Sequence, residues 1–279
     1  MIDTHSHINF KNFQPDADEV IGRALDNNTE MIVVGAEYRT SKRALEYANK
    51  YDKGVYAAVG LHPLHLEEIE ADEGEEGGFE TRGEEFSYDN YEKLANSEKV
   101  AAIGEIGLDY YHIKLSSEVE NIKKRQKQAF FDQLLLARDL ELPAIIHCRI
   151  AHVDLLSVLK DFKEKYKDMI PKDEPWAVVH CFSGDEDLAW EYFNLGLMIS
   201  FTGLVTFSKQ WDDLIRKMPS DRFMIETDCP FMAPEPYRGK RNEPVLVKYV
   251  ADRIAEIRST TTEKIADIST KNAQHFFEI

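Results

Sequence analysis

VAAIGEIGLD, residues 100–109, is rich in Val, Ala and Ile, alternates little between apolar and polar positions, and carries Glu105 towards its end. A run of this kind reads as a strand buried on both faces, the setting of a parallel sheet. Seven further runs share its character: MIDTH (1–5), MIVVGA (31–36), VYAAVGLHP (55–63), PAIIHCR (143–149), WAVVHCFSG (176–184), LMISFTG (197–203) and FMIETDCP (223–230). Between the runs, residues 17–28, 40–52, 118–141, 151–167, 185–195, 208–217 and 243–257 space apolar side chains at three and four, as helices with one buried face do. Thr40, Ser41 and Ser183 stand where they could cap helices that follow strands. Eight strands alternating with helices predict a (β/α)8 TIM barrel, spanning residues 1–279 as one domain. The rival is a doubly wound open sheet. No G-x-G-x-x-G and no G-x-x-x-x-G-K-[ST] follows any run, which disfavours a nucleotide-cofactor fold.

The chain has 279 residues and is 43% hydrophobic, enough for a sizeable core. It holds no run of about 18 apolar residues, so no membrane span is expected. The first residues lack a basic region followed by an apolar stretch, as a secretory signal would have. There are three cysteines and no C-x-x-C, which points to a reducing, cytoplasmic setting rather than a disulfide framework. The net charge of −17 excludes a basic, nonspecific nucleic-acid binder. That charge is uneven. Residues 67–85, EEIEADEGEEGGFETRGEE, hold ten acids and one arginine. They read as an acidic surface insertion between the third and fourth strands. A concave site holding divalent ions would still attract phosphates, because a bound ion dominates its local field.

His5, His7, His62, His147 and His180 fall at or near the carboxyl ends of predicted strands. Glu105 ends the fourth, and Asp228 ends the eighth. In a barrel these ends converge on the face where active sites are built. Any one of these histidines alone reads as a hydrogen-bonded structural residue. Together with the two carboxylates they read as a metal site. His65, His112, His152 and His275 lie in helices or loops and carry no such reading. Cys148, Cys181 and Cys229 each follow a candidate ligand. Neighbouring strand residues face opposite ways, so these thiols are expected in the layer between strands and helices.

Seven stretches carry a resemblance: DTHSH (3–7), GLHP (60–63), IGEIGLDYY (103–111), IIHCR (145–149), HCFSG (180–184), ETDCPFMAP (226–234) and RGKRNEP (238–244). With them the chain resembles, over its whole length, the TatD-type metal-dependent deoxyribonucleases of the amidohydrolase superfamily. The resemblance implies a centre of two divalent ions (Mg, Mn or Zn). His5, His7 and Asp228 would hold the first, His147 and His180 the second, and Glu105 would bridge them. Asp228 would also act as general base toward water, and His62 would stand near the leaving group or a phosphate. Glu226 reads either as support behind the ligands or as part of an ordinary buried ion pair. Arg149, Arg238, Lys240 and Arg241 are candidate phosphate contacts, since a guanidinium matches phosphate bidentately. The chain departs from the family in the segment following IIHCR, where an Asp is usual and Ile150 here follows Arg149, and in the acidic insertion carried by residues 64–92. Both departures bear on substrate more than on metal.

The expected activity is hydrolysis of phosphodiester bonds in DNA, or alternatively RNA, by two-metal activation of water. A deep barrel mouth suits an exonuclease trimming a strand end better than attack within a duplex. Two other readings stay open: a metal-dependent hydrolase of esters or amides, such as an aminoacyl ester on RNA, and a non-catalytic metal-binding scaffold. No membrane and no obligate protein partner is evident.

Overall fold

The computed structural model describes residues 1–68, 81–113, 118–171 and 174–279. Eight parallel strands pair in sequence order: β1 (Ile2–Ser6), β2 (Glu30–Val34), β3 (Val55–Val59), β4 (Val100–Asp109), β5 (Ala144–Arg149), β6 (Ala177–Val179), β7 (Leu197–Phe201) and β8 (Phe223–Ile225). The chain just past β8 meets β1, so the sheet comes round on itself. Ser6 bridges Cys229, the His7 amide donates to the Cys229 carbonyl at 2.8 Å, and the Asp228 amide donates to the His5 carbonyl at 2.9 Å. This is the expected TIM barrel.

The strands lack alternation because both of their faces are covered. Ile2, Ile32, Ala58, Ala102, Ile145, Val178, Met198 and Met224 supply one residue from each strand to an inner cluster. Val33, Ala57, Ile103, Ile146, Val179, Ile199 and Ile225 face an outer layer packed beneath the helices. Those helices are α1 (Ala17–Asp26), α2 (Tyr38–Ala48), α3 (Tyr88–Ala95), α4 (Val119–Asp139), α5 (His152–Lys165), α6 (Glu186–Asn194), α7 (Asp212–Lys217), α8 (Val247–Ile257) and α9 (Thr262–Phe277). Thr40 does help begin α2, accepting from the Glu37 amide at 2.9 Å. Ser183 does not cap α6; Asp185 does, through the Leu188 amide.

The sequence reading misses α3 and α9. In α9 the first turns, TEKIADISTKN, are mostly polar, and the buried stripe is only Ile265, Ser269, Ala273, Phe276 and Phe277. Its last turn packs Ala273, Phe276 and Phe277 against the inner cluster, so tertiary burial rather than propensity holds it. The reading also runs several strands too long. Strand β3 stops at Val59, β6 at Val179 and β8 at Ile225, leaving His62, His180 and Asp228 on the chain beyond them. Among the described residues no helix is long and apolar enough to cross a membrane.

Most of the acidic stretch expected as a surface insertion (67–85) falls on residues 69–80, outside the described residues. Its final part is packed. Glu84 accepts from Tyr91 Oη at 2.8 Å and from the Tyr38 amide at 3.2 Å, while its own amide donates to the His65 carbonyl at 2.7 Å. Tyr91 is buried. Glu84→Ala would leave that buried hydroxyl without its acceptor. We expect a loss of about 1–3 kcal/mol, the usual cost of an unsatisfied buried polar group. Urea unfolding should show the lower midpoint; an unchanged midpoint would mean that this contact contributes nothing to the fold.

Candidate metal centre

Two irregularities of the barrel aim the donors. In β1, Asp3 pairs with Met31 and Ser6 with Val33, so three steps on β1 match two on β2. In β4, Ile103 pairs with Ala144 and Ile106 with Ile146, again three steps against two. An extra residue of this kind inverts which face the following side chains take. Ile103 faces the outer layer, and a regular strand would send Glu105 the same way. The extra residue turns Glu105 into the barrel mouth instead, together with Asp109. His147 needs no such device, because it shares parity with the inward Ile145 on β5. His180 follows Val178 in the same way.

The donors form two groups around Glu105. On its Oε2 side, His5 Nε2 lies 3.4 Å and His7 Nε2 3.6 Å away. The two ring nitrogens are 3.1 Å apart, and Asp228 Oδ1 is 3.8 Å from His5 Nε2 and 3.4 Å from His7 Nε2. On its Oε1 side, His147 Nδ1 and His180 Nε2 each lie at 2.7 Å and His62 Nε2 at 3.4 Å. All of these side chains are buried except His147, which is partly exposed.

The first group fits a cation. His7 Nδ1 lies 2.9 Å from the Val34 carbonyl, which can only accept, so Nδ1 carries the hydrogen and a neutral ring turns the Nε2 lone pair inward. His5 is fully buried, and its Nδ1 has no hydrogen-bond partner among the described residues. Two imidazole nitrogens and two carboxylate oxygens thus crowd one point with edges of 3.1–3.8 Å. Four donors each about 2.0–2.1 Å from a tetrahedral metal would stand roughly 3.3–3.4 Å apart.

Charge points the same way. Burial would raise the Glu105 carboxyl, but the rings of His180, His62 and His147 outweigh it and hold the pKa well below the usual range. Burial would likewise raise Asp228, and His7 and His5 overcome it. In return, these carboxylates raise three rings against the opposing effect of burial. His180 rises well above its ordinary value beside Glu105, His147 to about 9 beside Asp109 and Glu105, and His7 beside Asp228 and Glu105. Without a metal, protons must therefore balance the carboxylates, and a bound cation would displace them.

His62 differs from the others. Its Nδ1 accepts from the Leu64 amide at 3.2 Å, so in the neutral ring Nε2 carries the hydrogen. Burial first, and then the neighbouring His147, lower its pKa. It faces the centre as a donor, not as a lone pair.

The residues behind the donors were only partly legible. Asp109, which the sequence reading passed over, accepts at Oδ2 from His147 Nε2 at 3.1 Å and at Oδ1 from the Tyr111 amide at 2.9 Å. Its place four residues after Glu105 at the end of the same run was an available signal. Asp3 accepts from the Thr227 amide at 2.8 Å and from Thr227 Oγ1, tying β1 to the segment that carries Asp228. Glu226 lies behind His180, with Oε1 3.4 Å from His180 Nδ1 and accepting from the Cys181 amide at 2.7 Å.

Cys148 lies in the strand–helix layer as expected, and Cys229 is buried in the outer cluster. Cys181 does not. The chain has left β6 and turned (φ 45° at Cys181), so strand parity no longer holds, and the thiol sits 3.7 Å from Thr202 Oγ1 and 3.3 Å from Met232 Sδ.

Of the four proposed phosphate contacts, Arg241 is already taken: its guanidinium is bound to Asp16 and Glu243. Arg238 stacks 4.1 Å from the Phe207 ring centroid with Glu235 at 3.9 Å, and Lys240 Nζ lies 5.5 Å from the Tyr237 ring. Arg149 shares the inward face of β5 with His147.

Residues 2–278 match the family model described as TatD related DNase. The chain is 39% identical to an uncharacterized metal-dependent hydrolase, YabD, of Bacillus subtilis (strain 168), covering 100% of this chain and 99% of that protein. It is 30% identical to a protein named 3'-5' ssDNA/RNA exonuclease TatD from Erwinia tasmaniensis, covering 100% of both. Among solved structures it is similar to YJJV, a TATD homolog from Escherichia coli K12, with a TM-score of 0.82 at 29% identity over 100% of this chain and 98% of that one. A barrel with this donor set, matched along its whole length, belongs to the TatD related DNase family of metal-dependent hydrolases.

Proposed function

We propose that this protein hydrolyses phosphodiester bonds at the end of a DNA or RNA strand with two divalent ions, acting as one catalytic unit over residues 1–279. The observation that carries the reading is the division of Glu105. One carboxylate oxygen faces His5 and His7, the other faces His147 and His180. In this reading His5, His7 and Asp228 would hold one ion, His147 and His180 the other, and Glu105 would serve both. Mg, Mn and Zn all suit such a mixed nitrogen and oxygen set. The exonuclease names of the Erwinia relative and of a second one, from Pantoea ananatis, support a nucleic-acid substrate over an aminoacyl ester. Three free thiols agree with a reducing, cytoplasmic setting.

A pair of divalent ions held there would lower the pKa of water and neutralise charge on the phosphodiester. The chain's own residues do the rest. Asp228 is held ionised and takes the proton of the attacking water. The water oxygen bonds to phosphorus, the bond to the departing strand breaks, and the departing oxygen gains a proton. His62 Nε2–H donates to that oxygen or to a phosphate oxygen. Arg149, Arg238 and Lys240 contact phosphates.

The test is purified protein with end-labelled single-stranded DNA and RNA across several divalent ions, with an aminoacyl-RNA as the competing substrate. We expect stepwise shortening from one end, two ions per chain by metal analysis, complete loss on chelation, and proton release when metal is restored. Active protein with no more than trace metal, or preferential deacylation, would sink the reading.

A further inference from the structure

Beside the second donor group, the rim of the barrel carries a platform that the metal chemistry does not use. Arg149 pairs in register with Asp109, whose carboxylate holds both His147 and the Tyr111 amide. This ties the rim to the centre. The Arg149 guanidinium carbon lies 3.8 Å from the Tyr111 ring centroid. Arg149 has no carboxylate within 4.0 Å among the described residues, whereas Arg241, Arg253 and Arg138 all do. In a chain of net charge −17, an arginine left in this state beside a hydrolytic centre is a local attractor for anions.

The same rim is apolar where it meets solvent. Tyr111 is 44% exposed, Ile150 68% and Val153 83%, which is half of the six large hydrophobic side chains exposed among the described residues. Ile150 has φ 55°, a conformation that β-branched residues rarely adopt. It turns the chain out of β5 and presents the side chain to solvent next to Arg149. Aromatic rings and guanidinium planes are the surfaces on which unpaired bases stack.

We propose that Tyr111, Arg149 and Ile150 form a base-stacking subsite that seats an unpaired base of single-stranded nucleic acid beside the scissile phosphodiester. The proposal rests on the phosphodiesterase reading above and adds to it a reason for single-strand preference. The guanidinium lies between the Tyr111 ring and the incoming base, and its N–H groups reach the adjoining phosphate. A blunt duplex end keeps its bases paired and cannot spread one onto this surface.

The test compares two single-stranded oligonucleotides with the metal-loaded enzyme. One ends in thymidines. The other ends in 5,6-dihydrothymidines, which keep the sugar, phosphate and base edges but lose the flat ring. Wild type should favour the flat base by about fivefold or more in kcat/KM, the low end of what removing a stacking partner costs. Tyr111→Ala should bring that ratio close to one, and Tyr111→Phe should keep it. Circular dichroism and metal content report whether the alanine variant folds; if it does not, the wild-type ratio still decides. Equal rates on both oligonucleotides, or a ratio that survives Tyr111→Ala, would overturn the subsite. If wild type cleaves neither oligonucleotide, the phosphodiesterase reading itself falls, and the subsite with it.

Discussion

Glu105→Ala should lower turnover at least about 10³-fold and deplete the protein of metal at both positions. Both donor groups meet at this side chain, one at each oxygen. Without it, His5, His7 and Asp228 retain three donors, and His147 and His180 retain two. Metal stabilisation of a phosphoryl transition state is worth several kcal/mol, and about 4 kcal/mol corresponds to a factor near 10³. His180→Ala is the informative contrast. It removes one donor from one group, so it should mainly raise the metal concentration needed for activity. Metal analysis and kcat measured on the same preparations decide the matter. A Glu105→Ala protein that keeps two ions and near-wild-type turnover would show that Glu105 does not join the two groups.

Asp228→Asn should keep the fold and lower kcat at least about 10²-fold with metals saturating, the usual scale for losing general-base assistance. The amide has nearly the same shape and could still offer an oxygen toward His7, 3.4 Å away in the present structure. It cannot accept the proton that leaves water. Loss of a charged ligand would add to the effect, which is why metal must be titrated to saturation before rates are compared. Turnover close to wild type under those conditions would remove Asp228 from the mechanism.

The fold was legible because a barrel strand covered on both faces must be a short apolar run, and eight such runs separated by helical periodicity leave few architectures. The convergence of these candidate donors was legible because residues at the ends of barrel strands meet on one face wherever they fall in the chain. Sequence distance did not hide Asp228 from His5, since closure brings the two backbones within hydrogen-bond reach. Helix α9 was not legible: most of its surface is polar, and the barrel interior supplies its stability.

What only the tertiary structure decided is direction and partnership. Strand parity placed His5 and His7 on one face but could not say which. Ile2 faces inward, so a regular β1 would have sent both histidines out. The extra residue between Asp3 and Ser6 reverses that, and the one before Ile106 does the same for Glu105. Such a one-residue irregularity leaves no composition signal, because it is fixed by pairing with the neighbouring strand. Arg149 and Arg241 look alike in the sequence, yet Asp16 and Glu243 engage one and Tyr111 the other. The pattern of residue types fixes where donors and charges can lie along the chain, but their availability depends on neighbours that only the folded backbone brings within a few ångströms.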